Sequence, residues 1–130
     1  MKRCSVVFII LILLSGAVFS EETKVKVAAA VVDFQAREGV SENLASTISD
    51  YFRTQLFNTN KFILVTRESM DLILKEQNFQ VSGCTSQECV VQMGQMLGVS
   101  KVFTGTLGMV GSVYLLNIKM LNIETGEIEK

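Results

Sequence analysis

Cys84 and Cys89 stand five residues apart in Ser82-Gly83-Cys84-Thr85-Ser86-Gln87-Glu88-Cys89, the stretch of the chain where reactive side chains lie closest together. Three chemistries fit a cysteine pair: a structural disulfide, a redox dithiol, or part of a metal site. The flanking residues favour the first. Thr85 reads as a helix N-cap, with Glu88 three positions on to complete a capping box. The cysteines then fall at N′ and N4, where a hydrophobic staple brings two side chains together, so an S–S link needs little backbone strain. A redox site of the thioredoxin type has the closer Cys-x-x-Cys spacing. Zinc needs further ligands, yet the chain has no histidine, and its third cysteine, Cys4, lies in the N-terminal leader. A Cys84–Cys89 disulfide is the leading reading. So small a ring adds roughly 2 kcal/mol by the loop-entropy model, enough to pin a loop to the start of a helix.

The leader sets the compartment. Met1 to Ser20 combines Lys2 and Arg3, an uncharged apolar run from Val6 to Leu14, and small residues toward its end, which is the anatomy of a secretory signal peptide. Its apolar core is shorter than the roughly 20 residues of a spanning helix. Cleavage after Ser20 uses Val18 and Ser20 at the small-residue positions; cleavage after Ala17 uses Ser15 and Ala17. Leu14-Ser15-Gly16 would introduce a lipoprotein acceptor if position 17 were cysteine, but it is alanine. The expected location is therefore the exported, periplasmic space, where disulfides persist.

Residues 21–130 are enough for one domain. Loss of Lys2 and Arg3 takes the formal charge from −1 to −3, so bulk charge attracts neither nucleic acid nor an anionic membrane. The absence of histidine rules out Ser/His and Cys/His catalytic pairs. Asp33 ends the first expected strand, a place where layered α/β folds often bind ligands; the plainer reading is a carboxylate accepting backbone N–H bonds in the next turn. Glu68, Asp71, Lys75 and Glu76 read as a solvated helix face. Gly105, Gly108 and Gly111 read as hairpin relief and bulges, and Met93, Met96, Met109 and Met120 as core fillers. No catalytic, cofactor-binding or metal-ligating residue is assigned.

These features hang on a regular succession of elements. Ala28 to Val32 reads as a strand covered on both faces, followed by a turn at Arg37-Glu38-Gly39. Ser41 N-caps a helix with the stripe Leu44, Ile48, Tyr51, Phe52 and Leu56. Phe62 to Val65 is a short buried-type strand, and a helix from Thr66 or Arg67 turns Met70, Ile73 and Leu74 inward. The helix Ser86 to Leu97 points Cys89, Met93 and Met96 or Leu97 inward and stops at Gly98. Lys101 to Met109 and Val113 to Ile123 form a hairpin about Val110-Gly111-Ser112, and Glu127 to Lys130 opens a third strand. The order β-α-β-α-α-β-β-β predicts an α/β (α+β layered) domain with helices on a mixed sheet. Its last strand has barely begun at Lys130, which suggests either a short edge or a missing C-terminal continuation.

Several stretches, taken in order, resemble the curli production assembly/transport component family (CsgG-like proteins), whose soluble domain resembles the TolB N-terminal fold. They are Ala28-Ala29-Ala30-Val31-Val32-Asp33-Phe34, Tyr51-Phe52-Arg53-Thr54-Gln55-Leu56, Lys61 to Met70, Ile73-Leu74-Lys75-Glu76-Gln77, the cysteine box, Gln95 to Lys101, and Leu121 to Glu127. The resemblance implies a non-enzymatic periplasmic domain tied to the outer membrane, in a family that exports or assembles surface fibres through oligomeric channels. Two departures limit the transfer: Ala17 replaces the lipidated cysteine, and no segment is spare for pore hairpins with strands of about 9 to 11 residues. The expectation is an assembly or secretion accessory without its own pore, working through protein partners in the envelope. Self-association is left open, and membrane association is indirect. Two alternatives stand beside it. One is a regulator of cell-wall synthesis that binds a penicillin-binding protein, since activators of those enzymes share a similar small domain; the other is a carboxylate enzyme built around Asp33.

Overall fold

The computed structural model describes residues 24–129. The signal-peptide reading of residues 1–20, both cleavage sites and Cys4 lie outside them. Strand β1 (Val27–Val31) sits inside a six-stranded sheet, where its run of small residues lets helices approach both faces. Ala30 and Val32 point to one side and Ala29 and Val31 to the other, all buried. The sheet order is β3-β1-β4-β5-β6, with β3 (Phe62–Leu64), β4 (Lys101–Val110), β5 (Val113–Asn122) and β6 (Ile128–Glu129). β1 runs parallel to β3 and β4, whereas β5 runs antiparallel to its two neighbours, β4 and β6.

Helix α1 (Glu42–Asn58) covers one face alone. Its cap is Ser41, whose side chain accepts from Leu44 N. Phe52 and Leu56 pack with Ala29, Val31, Phe103 and Met120, and the Phe52, Phe62 and Phe103 rings meet edge-on with centroids 5.4–5.7 Å apart. Helices α2 (Arg67–Glu76) and α3 (Gln87–Leu97) cover the other face, burying Met70, Leu74, Val90, Met93 and Leu97. α3 lies flat because residue 94 is glycine: a Cβ there would stand 2.6 Å from Ile123 Cγ1 and 3.0 Å from Val102 Cγ2. Gly98, at φ +67°, closes the helix in the left-handed conformation that glycine adopts without cost.

The α+β layered architecture matches the sequence reading, with one strand more. β2 (Gln35–Ala36) pairs parallel with Thr106 and Leu107, so the first strand rejoins β4 after a break at Asp33 and Phe34. Two residues are too few to carry a period in sequence. Other expectations shift by face. Tyr51 is exposed; the inward stripe of α1 is Ala45, Ser49, Phe52 and Leu56, set by the small residues that fit against the sheet. β3 is an edge strand with Ile63 exposed, and Met109 is 39% exposed rather than a core filler. The β4–β5 ladder runs unbroken from Lys101 opposite Asn122 to Val110 opposite Val113, so Gly105 and Gly108 mark no bulge. A side chain at 105 would collide with the Asn117 carbonyl and crowd the Phe34 ring, which is why glycine stands there.

Gly94→Ala should lower stability by about 1–3 kcal/mol through overpacking, although alanine is the better helix former by about 1 kcal/mol; thermal unfolding checks it. A second expectation concerns β6. The Lys101 ammonium donates to both Glu129 oxygens at 2.6 Å and the Asn122 amide to one at 2.9 Å, and these bonds hold the Glu129 carboxyl below its ordinary value of 4.5. A depressed acid contributes its stability above its unfolded pKa and loses it as pH falls through the folded one. β6 should therefore loosen below the ordinary carboxylate value, seen as a reduced protection factor for the Asn122 amide, and Lys101→Met, which removes the larger of the two causes, should weaken that dependence.

Candidate interaction surface

Asp33 sits where β1 leaves the sheet, and its surroundings are cationic. Arg67 reaches Oδ2 at 2.7 Å and Arg53 reaches Oδ1 at 3.3 Å. Ser46 Oγ donates to Oδ2 at 3.4 Å and accepts from Arg67 at 3.0 Å, while Arg53 also pairs with Asp50. Both carboxylate oxygens are thus engaged by side chains of α1 and α2, in place of the turn N–H groups expected from sequence. Arg53, 13% exposed, donates to the Val31 carbonyl at 2.7 Å, and the buried Ser49 hydroxyl accepts from Phe34 N–H at 2.7 Å. Residues 46, 49 and 53 lie on one face of α1, and together they engage the Val31 carbonyl, the Asp33 carboxylate and the Phe34 N–H of the strand break. The cluster fastens a kink.

The structure joins Cys84 and Cys89 in a disulfide with Cα atoms 5.5 Å apart. The local cap differs from the one expected. Ser86, not Thr85, is the N-cap and accepts from Cys89 N at 3.2 Å, so Cys84 stands at N″ and Cys89 at N3. Glu88 therefore completes no capping box. The one-residue shift turns Val90, Met93, Gly94 and Leu97 inward and leaves Cys89 at the margin of the core. Thr85, Ser86, Arg37, Asn117, Val90 and Leu121 line a cleft of about 480 Å³, polar and apolar in similar measure, between the cysteine loop and the sheet. Among the described residues no group of His, Cys, Asp or Glu side chains is arranged to hold a metal ion.

The largest departure from a closed surface lies on the β4–β5 hairpin. Helices cover the sheet only near its base, and residues 113–119 of β5 are all exposed. Val110, Val113, Tyr114, Leu115 and Leu116 are between 41% and 69% accessible. β6 covers the outer edge of β5 only at Met120 and Leu121. Asn122 N–H donates to Glu127 O at 2.8 Å and Asn122 O accepts from Gly126 N–H at 2.8 Å, so its main chain faces away from β4. Antiparallel strands alternate in this respect, and the N–H and C=O groups of Tyr114, Leu116 and Ile118 face the same way. Among the described residues no strand lies opposite them. Edges are ordinarily blunted by lysine, proline or a bulge. This one has no proline, no bulge and no charge between Val102 and Ile118.

The short edge strand read from sequence at residues 127–130 is β6 (Ile128–Glu129), which ends the sheet order; what the sequence reading missed is the exposure of β5 beside it. The signal for β5 was present in Val113-Tyr114-Leu115-Leu116, whose consecutive apolar residues describe a strand covered on both faces, whereas these residues are exposed and no helix among the described residues covers them.

The family model of the curli production assembly/transport component CsgG matches residues 15–111. The chain belongs to the CsgG family. Solved structures with the same fold include the LpoB C-terminal domain from Escherichia coli, 16% identical over 92% of this CsgG-family chain and 86% of that one, at a TM-score of 0.68. The LpoB C-terminal domain from Salmonella enterica is 17% identical, covering 80% of this chain and 78% of its own at 0.63. Lipoprotein GNA1162 from Neisseria meningitidis is 11% identical, covering 80% and 75% at 0.63. No curated protein sequence matches the chain. No helix among the described residues is long and apolar enough to cross a membrane.

Replacing both cysteines by serine should lower stability by about 2 kcal/mol while leaving the sheet formed. Faster amide exchange confined to residues 82–90, with unchanged exchange in β1, is the expected pattern.

Proposed function

We propose that this CsgG-family chain is a non-enzymatic accessory of the cell envelope, exported to the periplasm and associated with the outer membrane. It serves assembly or secretion through protein–protein contacts at the β4–β5 hairpin. The observation that carries the reading is the uncharged apolar stretch from Val110 to Leu116, exposed on the β4–β5 hairpin, with no strand opposite the outer edge of Tyr114, Leu116 and Ile118 among the described residues; main-chain groups of that kind can accept an added strand while side chains on both faces supply apolar area. Family membership supports a role in curli-type assembly and transport, and Met1 to Ser20 supports export. Asp33, the one carboxylate singled out for catalysis, is occupied by two guanidinium groups, which favours a structural role for it. The hairpin is no pore strand by this reading. Val102, Phe103 and Leu107 are buried in the domain, and the free part of each strand is shorter than the 9 to 11 residues that span an outer membrane.

The second reading is a regulator of cell-wall synthesis that binds a penicillin-binding protein. It rests on the similar small domain of such activators, and the LpoB C-terminal domains share this fold. A photo-cross-linking residue placed at Tyr114 in the full chain, in cells, separates the two. Adducts with an assembly or secretion component, lost in Leu115→Asp and not formed from the exposed helix position Leu72, are expected. Adducts with a peptidoglycan synthase would move the chain to the second reading, and no adduct from position 114 would overturn the hairpin as the contact surface.

A further inference from the structure

We infer that the cleft between the cysteine loop and the sheet is a docking site for a short, extended, acidic segment of a partner protein. The site lies apart from the tip of the β4–β5 hairpin, and neither reading depends on the other. Its floor is the face of the sheet that carries α3, and strand register fixes the order of groups along it. Gln35, Thr106 and Asn117 stand side by side across β2, β4 and β5. On this face Thr104 and Lys119 form the next rung, and Leu121, opposite Val102, the one after, where the core beneath Val90 begins. Arg37, two residues past Gln35, lies beside Gly108, where a Cβ would stand 3.3 Å from its own. The walls are held in place. The Cys84–Cys89 disulfide ties the loop carrying Thr85 and Ser86 to the first turn of α3, and the Gln87 amide donates to the Gly126 carbonyl beyond β5. The volume of about 480 Å³ falls within the ~300–1,000 Å³ of ligand sites.

Charge selects the ligand. Arg37 and Lys119 stand at opposite corners of the cleft, and no acidic side chain lines it. The ion pairs among the described residues join Arg53, Arg67 and Lys101 to Asp33, Asp50 and Glu129, which leaves both cleft cations available. The register puts their Cα atoms four residues apart along the strands and two strands apart across them, on the order of 16 Å. Shortened by two long side chains, that separation suits carboxylates spread over a few residues of extended chain rather than one small anion. The lining points the same way. A peptide's alternating N–H and C=O groups match Gln35, Thr104, Thr106 and Asn117, which both donate and accept, while an aliphatic side chain fills the end at Val90, Leu121 and Ile128. An acyl chain would take those polar groups from water without partners, and inorganic phosphate would leave the apolar end empty.

The test uses the full chain in the form cells export and an array of fluorescein-labelled seven-residue peptides, with two glutamates at every spacing around one leucine, beside counterparts with glutamine. Anisotropy should show saturable binding in the micromolar range at one or more spacings, at least about ten-fold weaker for the glutamine counterpart. Arg37→Gln and Lys119→Gln should each weaken it about five-fold, as loss of an exposed ion pair does. Lys75→Gln, the same change on the exposed side of α2, should leave it unaltered. Amide shifts on titration should fall at Gln35, Thr104, Thr106 and Asn117, with Tyr114 unmoved, and an unchanged thermal midpoint shows that each variant keeps its fold. Equal binding of the glutamine peptides, an equal loss in Lys75→Gln, or no saturable binding below about 1 mM would overturn the inference. So would binding of phosphatidylglycerol vesicles or of inorganic phosphate through the same two cations without binding of peptide. Shifts centred on Tyr114 would assign the peptide to the hairpin and remove the cleft as its site, whereas peptide shifts in the cleft without envelope adducts from position 114 would remove the hairpin reading and leave this one standing.

Discussion

The main chain leaves its neighbour between β1 and β2, and the polar groups released there must find partners away from water. Side chains one turn apart on the same face of α1 provide them. The Ser49 hydroxyl accepts from the Phe34 N–H and donates to the Ala45 carbonyl at 2.8 Å; Arg53 donates to the Val31 carbonyl. A buried donor or acceptor left without a partner costs about 1–3 kcal/mol, so the break is stable only with α1 seated in this position. Seating α1 fixes the rest. Phe34 drops onto Gly105, β2 rejoins β4 at Thr106, and Arg67 at the start of α2 is tied to the same carboxylate as Arg53.

The two faces of the sheet are packed by different means. On the α1 side aromatic rings meet edge-on, an arrangement that suits ring quadrupoles. On the side of α2 and α3 the packing is aliphatic and thioether, and closeness comes from Ala28, Ala30 and Gly94. β4 stays buried as far as Leu107 whereas β5 is exposed from Val113 to Lys119, so the tip of the β4–β5 hairpin stands clear of the core.

Much of the fold was legible because its signals are local. Ser41 and Gly98 act as caps where their chemistry placed them, and the turn at Gly111 and Ser112 joins two runs whose β character is plain. β2 was not legible, since its pairing depends on a kink held from a distant helix. The cap of α3 was ambiguous because Thr85 and Ser86 are adjacent and both able; burial of Val90 and Gly94 decides for Ser86. The candidate surface was half visible. The apolar run in β5 could be read, but that it lacked a cover depended on how far the helices reach, a property of the assembled layers rather than of any segment.

The uncharged stretch from Val102 to Ile118 has a consequence for the chain's life before it is partnered. A short, β-prone, charge-free segment without proline is also the signature of sequences that stack into cross-β aggregates. A hairpin forms within microseconds once its residues are free, so this template is complete before slower, long-range packing has finished. The feature that equips β5 to accept one strand makes crowding of unpartnered copies hazardous. In such a chain, abundance and the timing of encounter are constrained by the same backbone groups that give the surface its use.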